Sequence, residues 1–252
     1  MSLKGKVIVI TGAARGLGRE YAKSFSADGA RVVAADIADC AETLDLVKSG
    51  GGEGIAVKLD VADMRSASAM AQATIDAFGR IDGLVNNAAL YGALKGGRFD
   101  TLSESEWDAT MAVNVKGIWN CCKAVAPAMR EQKAGSIVNI ASLAGTYGAP
   151  YFLHYTTSKG AVIGLTRGLA REVGRDGIRV NAVAPSAVLT EGTFEFFAHK
   201  SDQALERIKS DQTIQRNLEP SDLVGTVSWL LSEASAFVTG QTISVDGGTV
   251  MN

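Results

Sequence analysis

The stretch KVIVITGAARGLG, Lys6 to Gly18, decides the fold. It passes from an unbroken apolar run into a turn holding Gly12, Gly16 and Gly18. A run apolar on both faces belongs to a strand covered on both sides, as in a parallel sheet. Gly12 would make the tight turn leaving the strand, and Gly16 would let the backbone approach a pyrophosphate. Gly18 would let the following helix pack closely on the strand. That helix would aim free N–H groups and its positive dipole end at the phosphates. Many helix entries need glycine. Here the position after the first strand and before a helix points to a dinucleotide, with Thr11, Arg15 and Leu17 counted with the turn.

Outward from this motif the same texture repeats. Strands are expected at 6–11, 31–36, 54–60, 81–87, 135–142, 178–185 and 242–248, with helices near 16–28, 63–79, 104–132, 155–173 and 219–233. Strict alternation of strand and helix predicts an α/β fold, a doubly wound Rossmann sheet of seven mainly parallel strands with helices on both faces. No linker, repeat or low-complexity tract divides residues 1–252, so a single domain is expected. The region 186–218 interrupts the alternation after a strand's C-terminal end. Long insertions at such places are lids or binding loops.

The 252 residues are 46% hydrophobic and carry a net charge of −2 with no basic or acidic block, which argues against nucleic acid or a polybasic membrane contact. No stretch approaches the roughly 18 apolar residues of a membrane span. Cys40, Cys121 and Cys122 form neither a disulfide framework nor a metal-ligand spacing, so no metal and a reduced, cytoplasmic setting are expected.

The second strand ends in Asp36. A carboxylate there would accept hydrogen bonds from the adenosine ribose and repel a 2′-phosphate, which favours NAD (NADH). Arg15 pulls the other way, since it could hold that phosphate, although it could equally serve the pyrophosphate or the surface. Asp36 could also simply cap the next segment. Asp60 and Val61 after the third strand, and Asn86 to Ala89 after the fourth, lie where the adenine and adjoining ribose would run. Of these Asn87, Ala88 and Ala89 are assigned to the cofactor, the small alanines letting it lie flat.

In HYTTSKGA, His154 to Ala161, Tyr155 and Lys159 stand one helical turn apart and share a face. That spacing is common by chance. With TGAARGLG, NNAA, Asn114 in AVNVKG, Ser142 in NIAS and YTTSK in this order, however, the chain resembles the short-chain dehydrogenase/reductases over essentially its whole length. The resemblance implies a catalytic set of Asn114, Ser142, Tyr155 and Lys159, and a homotetramer. Pro185, Val188 and Thr190 match its nicotinamide segment, with Thr190 expected at the carboxamide. The family's usual Pro-Gly is here Pro185-Ser186; serine tolerates a positive φ less well, so this turn is expected to differ. Some secondary-alcohol dehydrogenases of the family, including ones for aromatic alcohols, share that Pro-Ser and a histidine before the tyrosine.

The chemistry agrees with the resemblance. Alcohol oxidation removes a hydroxyl proton while hydride leaves the same carbon. A free tyrosine, pKa about 10, is a poor base at neutral pH, and lowering it to about 7 needs roughly 4 kcal/mol of differential interaction. A nearby ammonium and a cationic nicotinamide would supply it. Tyr155 is therefore expected as general acid/base and Lys159 as its activator and ribose ligand. Ser142 would bind the substrate oxygen, and Asn114 would hold a water relaying protons from Lys159, although helix asparagines often satisfy backbone locally.

Tyr91, Leu143, Tyr147, Phe152, Phe194, Phe196 and Phe197 are expected near the nicotinamide, where an apolar pocket would suit a hydrophobic secondary alcohol or its ketone. His154 is expected to pack or to point into that pocket. No lid arginine or lysine is marked out to meet a carboxylate or phosphate, and Lys95, Arg98 and Lys200 stay open as candidates for one. The competing expectations are an NADPH-dependent ketoreductase of 3-oxoacyl thioesters and a dinucleotide sensor without chemistry.

Overall fold

The computed structural model describes residues 2–198 and 201–251. Lys200 lies outside the described residues. Seven strands form one parallel sheet: β1 Val7–Thr11, β2 Arg31–Asp36, β3 Glu53–Lys58, β4 Gly83–Asn86, β5 Gly135–Ile140, β6 Ile178–Pro185 and β7 Thr242–Val245. Their order is β3-β2-β1-β4-β5-β6-β7. The winding reverses between β1 and β4, and the C-terminal ends beside that reversal form the crevice in which ligands of such sheets bind.

The continuous apolar run of β1 has a direct structural cause. Val7 and Val9 enter one core, packed with Met70, Val125 and Val162. Ile8 and Ile10 enter the other, packed with Tyr21, Phe25 and Val227. Each such fully buried side chain contributes about 1.5–3 kcal/mol. The first core belongs to helices α3 (Met64–Phe78), α5 (Gly117–Gln132) and α7 (Leu153–Val173), and the second to α1 (Gly16–Ala27) and α10 (Pro220–Leu231).

Three features depart from the sequence-based expectation. A helix α2, Ala41–Ser49, joins β2 to β3; among its residues only Thr43 and Val47 are fully buried, so its apolar stripe is too thin to read. The helix expected over 104–132 is broken into α4, Glu104–Met111, a π turn over Ala112–Lys116, and α5. The π turn inserts an extra residue and holds Asn114 in the interior. The region 186–218 is largely helical, with α8 at Glu191–Phe197 and α9 at Ser201–Asp211. A short α6, Ala144–Tyr147, leads into α7.

Candidate active site

A cavity of about 910 Å³ opens along the C-terminal ends of the strands. Its floor is the β1–α1 turn. Gly12 has φ +68°, and a Cβ there would stand 2.8 Å from the Ala88 Cα, so only glycine lets the β4 loop lie this close. Gly16 has φ +55°, and a Cβ there would meet nothing nearer than Thr190 at 3.7 Å, which leaves its backbone open to the cavity. Gly18 is buried beneath; a Cβ on it would collide with the Gly12 carbonyl.

Side chains lock this turn to the β4 loop. Thr11 is buried, and its hydroxyl accepts from the backbone N–H groups of Asn87 (3.1 Å) and Ala88 (3.0 Å). The Asn87 amide donates back to the carbonyls of Thr11 (3.0 Å) and Gly12 (3.1 Å). Thr11 therefore braces the floor and does not line the cavity, contrary to its expected cofactor contact. Arg15, Leu17, Asn87, Ala88 and Ala89 do line it.

Asp36 lies at the cavity edge, its carboxylate accepting from Ala14 N–H and Ala38 N–H, both at 2.9 Å. The bond to Ala38 is the capping role weighed above; the bond to Ala14 ties the carboxylate to the glycine-rich turn. Arg15 is committed elsewhere. It forms a two-point ion pair with Glu195 of α8, one arm at 2.8 Å. Asp60 and Val61 line the next part of the cavity. Asp60 accepts from Ala62 N–H at 2.9 Å, and the Val61 carbonyl accepts from the Asn120 amide at 2.8 Å.

Tyr155 and Lys159 share the inward face of α7 and both border the cavity. Burial drives the Tyr155 phenol well above its usual pKa, the Tyr91 ring adding to this and hydrogen bonding with Ser142 acting against it. Burial likewise lowers Lys159, to about 8. The ammonium donates to the Ile140 carbonyl at 2.8 Å and lies 5.7 Å from the Tyr155 ring centroid. Burial alone thus favours the protonated phenol, and the lowered tyrosine expected above calls for a cationic nicotinamide as well as the Lys159 ammonium. Ser142, at the end of β5, lines the cavity and accepts from Ala144 N–H at 3.2 Å.

The Asn114 side chain is tied to two other segments of the chain. Its Oδ1 accepts from Leu90 N–H at 2.7 Å, while its amide donates to the Leu90 carbonyl (3.2 Å) and Ser158 Oγ (3.1 Å). Both amide protons are spent, and the residue clamps the β4 loop to α7. It does not line the cavity.

The far wall is aromatic: Tyr91, Phe152, Phe196 and Phe197 line it with Leu143 and Tyr147. Phe194 and His154 are absent from that lining and are corrections to the expected pocket. Phe194 turns outward and is half exposed, because α8 presents only one face inward. His154 is fully buried beside Phe152, with neither ring nitrogen hydrogen-bonded. Arg98 pairs with Asp100 at 3.1 Å, away from the cavity.

Pro185, Ser186, Val188 and Thr190 line the cavity between floor and wall. Ser186 does not adopt a positive φ, so serine fits where a glycine was expected, and its hydroxyl donates to Gln212 Oε1 at 3.1 Å. Thr190 caps α8, its hydroxyl accepting from Thr193 N–H at 3.4 Å. Sequence reasoning missed Glu195 and the Asn87–Thr11 brace. The only signal for Glu195 was a single acid inside TFEFF, a stretch otherwise suited to an apolar wall.

These residues fit a nicotinamide dinucleotide. A glycine whose backbone faces an open cradle, a carboxylate at the end of β2, small alanines on the floor and a buried tyrosine–lysine pair succeed one another along one cavity. A bound oxidised nicotinamide would supply the hydride acceptor and a positive charge. Among the described residues no cluster able to hold a metal ion occurs, and no helix is long and apolar enough to cross a membrane.

Fold and site together define a Rossmann-type oxidoreductase. Residues 12–250 match the family model described as Enoyl-(Acyl carrier protein) reductase. The chain is 39% identical to the 3-oxoacyl-[acyl-carrier-protein] reductase of Thermotoga maritima, over all of both chains. It is 40% identical to the (2S)-[(R)-hydroxy(phenyl)methyl]succinyl-CoA dehydrogenase subunit of Thauera aromatica, over 98% of each. Among solved structures, levodione reductase superposes with a TM-score of 0.90 at 32% identity, covering 97% of each chain. The chain belongs to the short-chain dehydrogenase/reductases, an oxidoreductase family that binds a nicotinamide dinucleotide.

Proposed function

We propose that this protein interconverts a hydrophobic secondary alcohol and its ketone with NAD as hydride carrier. The buried Tyr155–Lys159 pair beside Ser142, under an aromatic wall, carries this reading. Tyr155 takes the hydroxyl proton in oxidation and returns it in reduction. Lys159 stabilises the phenolate, Ser142 orients the oxygen, and the wall excludes water. Asn114 serves by positioning the β4 loop and α7.

The choice of NAD rests on Asp36, whose carboxylate is tied to the glycine-rich turn. A 2′-phosphate would meet that carboxylate at close range, and Arg15, on the same turn, is turned to Glu195. Rates with NAD⁺ and NADP⁺ test this. NAD⁺ should be preferred, and Asp36→Ala should narrow the preference about tenfold; a strong NADP⁺ preference in the unaltered enzyme overturns it.

A second reading is NADPH-dependent reduction of 3-oxoacyl thioesters; its substrate class is favoured by the names of relatives, several of which are 3-oxoacyl-[acyl-carrier-protein] reductases. On substrate class those names support it better than they support a simple-alcohol dehydrogenase. Assaying an acetoacetyl thioester with each reduced cofactor, beside a panel of secondary alcohols with NAD⁺, separates the two. We further propose a single domain over 1–252 with 186–218 as its lid, a homotetramer, and a cytoplasmic setting, in keeping with three buried free cysteines.

A further inference from the structure

Gln212 stands out within the region 186–218. It is only 4% exposed, although it directly follows α9, a helix in which Leu205 alone is fully buried. Its amide nitrogen donates to the carbonyls of Ile214 (3.1 Å) and Arg216 (2.6 Å). Both amide protons are thus used on the returning chain, and the amide oxygen faces the other way, to Ser186 Oγ at 3.1 Å. That oxygen can only accept, so the serine hydroxyl is the donor. The backbone converges on the same point. Ser186 N–H donates to the Val245 carbonyl at 3.3 Å, and Ile214 N–H to the Gly247 carbonyl at 2.8 Å. One buried side chain therefore sits where the end of β6, the end of β7 and the return of the 186–218 region meet.

The two partners stand differently toward the cavity. Ser186 lines it, between Pro185 and Ala187, and Gln212 does not. Further along, Leu189 N–H donates to the Leu218 carbonyl at 2.8 Å, and Val188 forms a parallel bridge with Leu218. The wall 185–190 is thus pinned twice, by main chain at Leu218 and by a side chain at Gln212. The second pin exists because position 186 carries a hydroxyl. A glycine after Pro185 would offer nothing to the amide oxygen, which would then be buried without a partner.

We propose that Gln212 is a positioning residue for the nicotinamide end of the cofactor, acting through the Ser186 hydroxyl to hold the 185–190 wall in place. The proposal rests on the reading of that wall as the neighbour of the nicotinamide. Removing either partner releases the Ser186 side of the wall, while the pin at Leu218 stays. The adenosine end, at Asp36 and Asp60, is built on the ends of β2 and β3 and keeps its geometry.

The test is calorimetric binding of NADH and of ADP-ribose, which lacks the nicotinamide. It compares the unaltered protein with Ser186→Ala, Ser186→Thr, Gln212→Met and the Ser186→Ala/Gln212→Met double variant. A buried polar group left without its partner corresponds to about a 5- to 150-fold change in an equilibrium constant. NADH should bind Ser186→Ala and Gln212→Met weaker by about fivefold or more, with ADP-ribose within about twofold of the unaltered protein. Ser186→Thr keeps the hydroxyl and should restore NADH binding. The double variant should bind NADH no more weakly than the weaker single variant, because both changes remove the same bond. Equal losses for NADH and ADP-ribose would make the pair a general prop of the fold and overturn the proposal. Unchanged NADH binding, or losses that multiply in the double variant, would overturn it as well. If Gln212→Met does not fold, Ser186→Ala against Ser186→Thr decides: equal NADH affinities for these two contradict the proposal. The underlying reading is checked in the unaltered protein alone, where NADH bound no tighter than ADP-ribose would remove the nicotinamide from this wall and the proposal with it.

Discussion

The two sides of the cavity are built by different physics. The floor, formed by the β1–α1 turn and the β4 loop, is cross-braced by directional bonds: Thr11 and Asn87 exchange four with each other's loops, Asn114 clamps Leu90, and Asp36 ties β2 to Ala14. The far wall, from Tyr91 and α8, is held by stacked rings and an exposed ion pair. Bonds between buried polar groups fix one geometry and are costly to break; stacking tolerates sliding and exchange. A floor that binds one invariant cofactor gains from the first arrangement, and a wall that admits and releases substrate gains from the second.

Changes to the floor should therefore hurt most. Gly12→Ala places a methyl group 2.8 Å from the Ala88 Cα at a positive φ, so the turn and the β4 loop must part. Dinucleotide affinity should fall by at least about a hundredfold, with a stability loss of about 2 kcal/mol or more, read by titration and by denaturant melts. Asn87→Ala removes two donors to the turn and should cost about 1–3 kcal/mol with a matching loss of cofactor affinity. On the wall, Glu195→Gln weakens an exposed pair only. It should change stability by less than about 1 kcal/mol and cofactor affinity by less than about fivefold. If Glu195→Gln proved as damaging as Asn87→Ala, the contrast between floor and wall would be wrong.

Lys159 provides a test between those extremes. Burial lowers its pKa to about 8, below that of a free lysine near 10.4. Between those values the unfolded chain binds the proton and the folded one does not, so stability from this group rises with pH across that window. Below about pH 8 folding carries the cost of burying an ammonium. Lys159→Met removes that cost; its stability advantage over the unaltered protein, up to about 3 kcal/mol near neutral pH, should shrink as pH rises from 7 to 10. Parallel stability curves for the two proteins would contradict a lowered lysine.

Much of this was legible in the sequence because it is written in periodicity and glycine. Strands 31–36 and 178–185 keep their expected bounds, since each is a buried run with a clear stop. The strand expected over 81–87 narrows to Gly83–Asn86 because Asn87 turns to brace Thr11, a long-range contact that periodicity cannot encode. The break at Ala112–Lys116 is hidden for a related reason: an inserted residue in a helix leaves no gap in an apolar pattern, only a shift of face. Asn114 was identified, but its partners Leu90 and Ser158 lie 24 and 44 residues away. Phe194 and Phe196 differ in sequence position by two and in environment completely, since on a helix that step points them apart.

The proposed proton transfer turns on Tyr155. Single-turnover oxidation of 1-phenylethanol by Tyr155→Phe, with cofactor affinity and melting temperature measured alongside, tests it most directly. The expected result is a rate lower by about 10²–10⁴-fold with both controls unchanged. A Tyr155→Phe enzyme that oxidised the alcohol at the unaltered rate would contradict it.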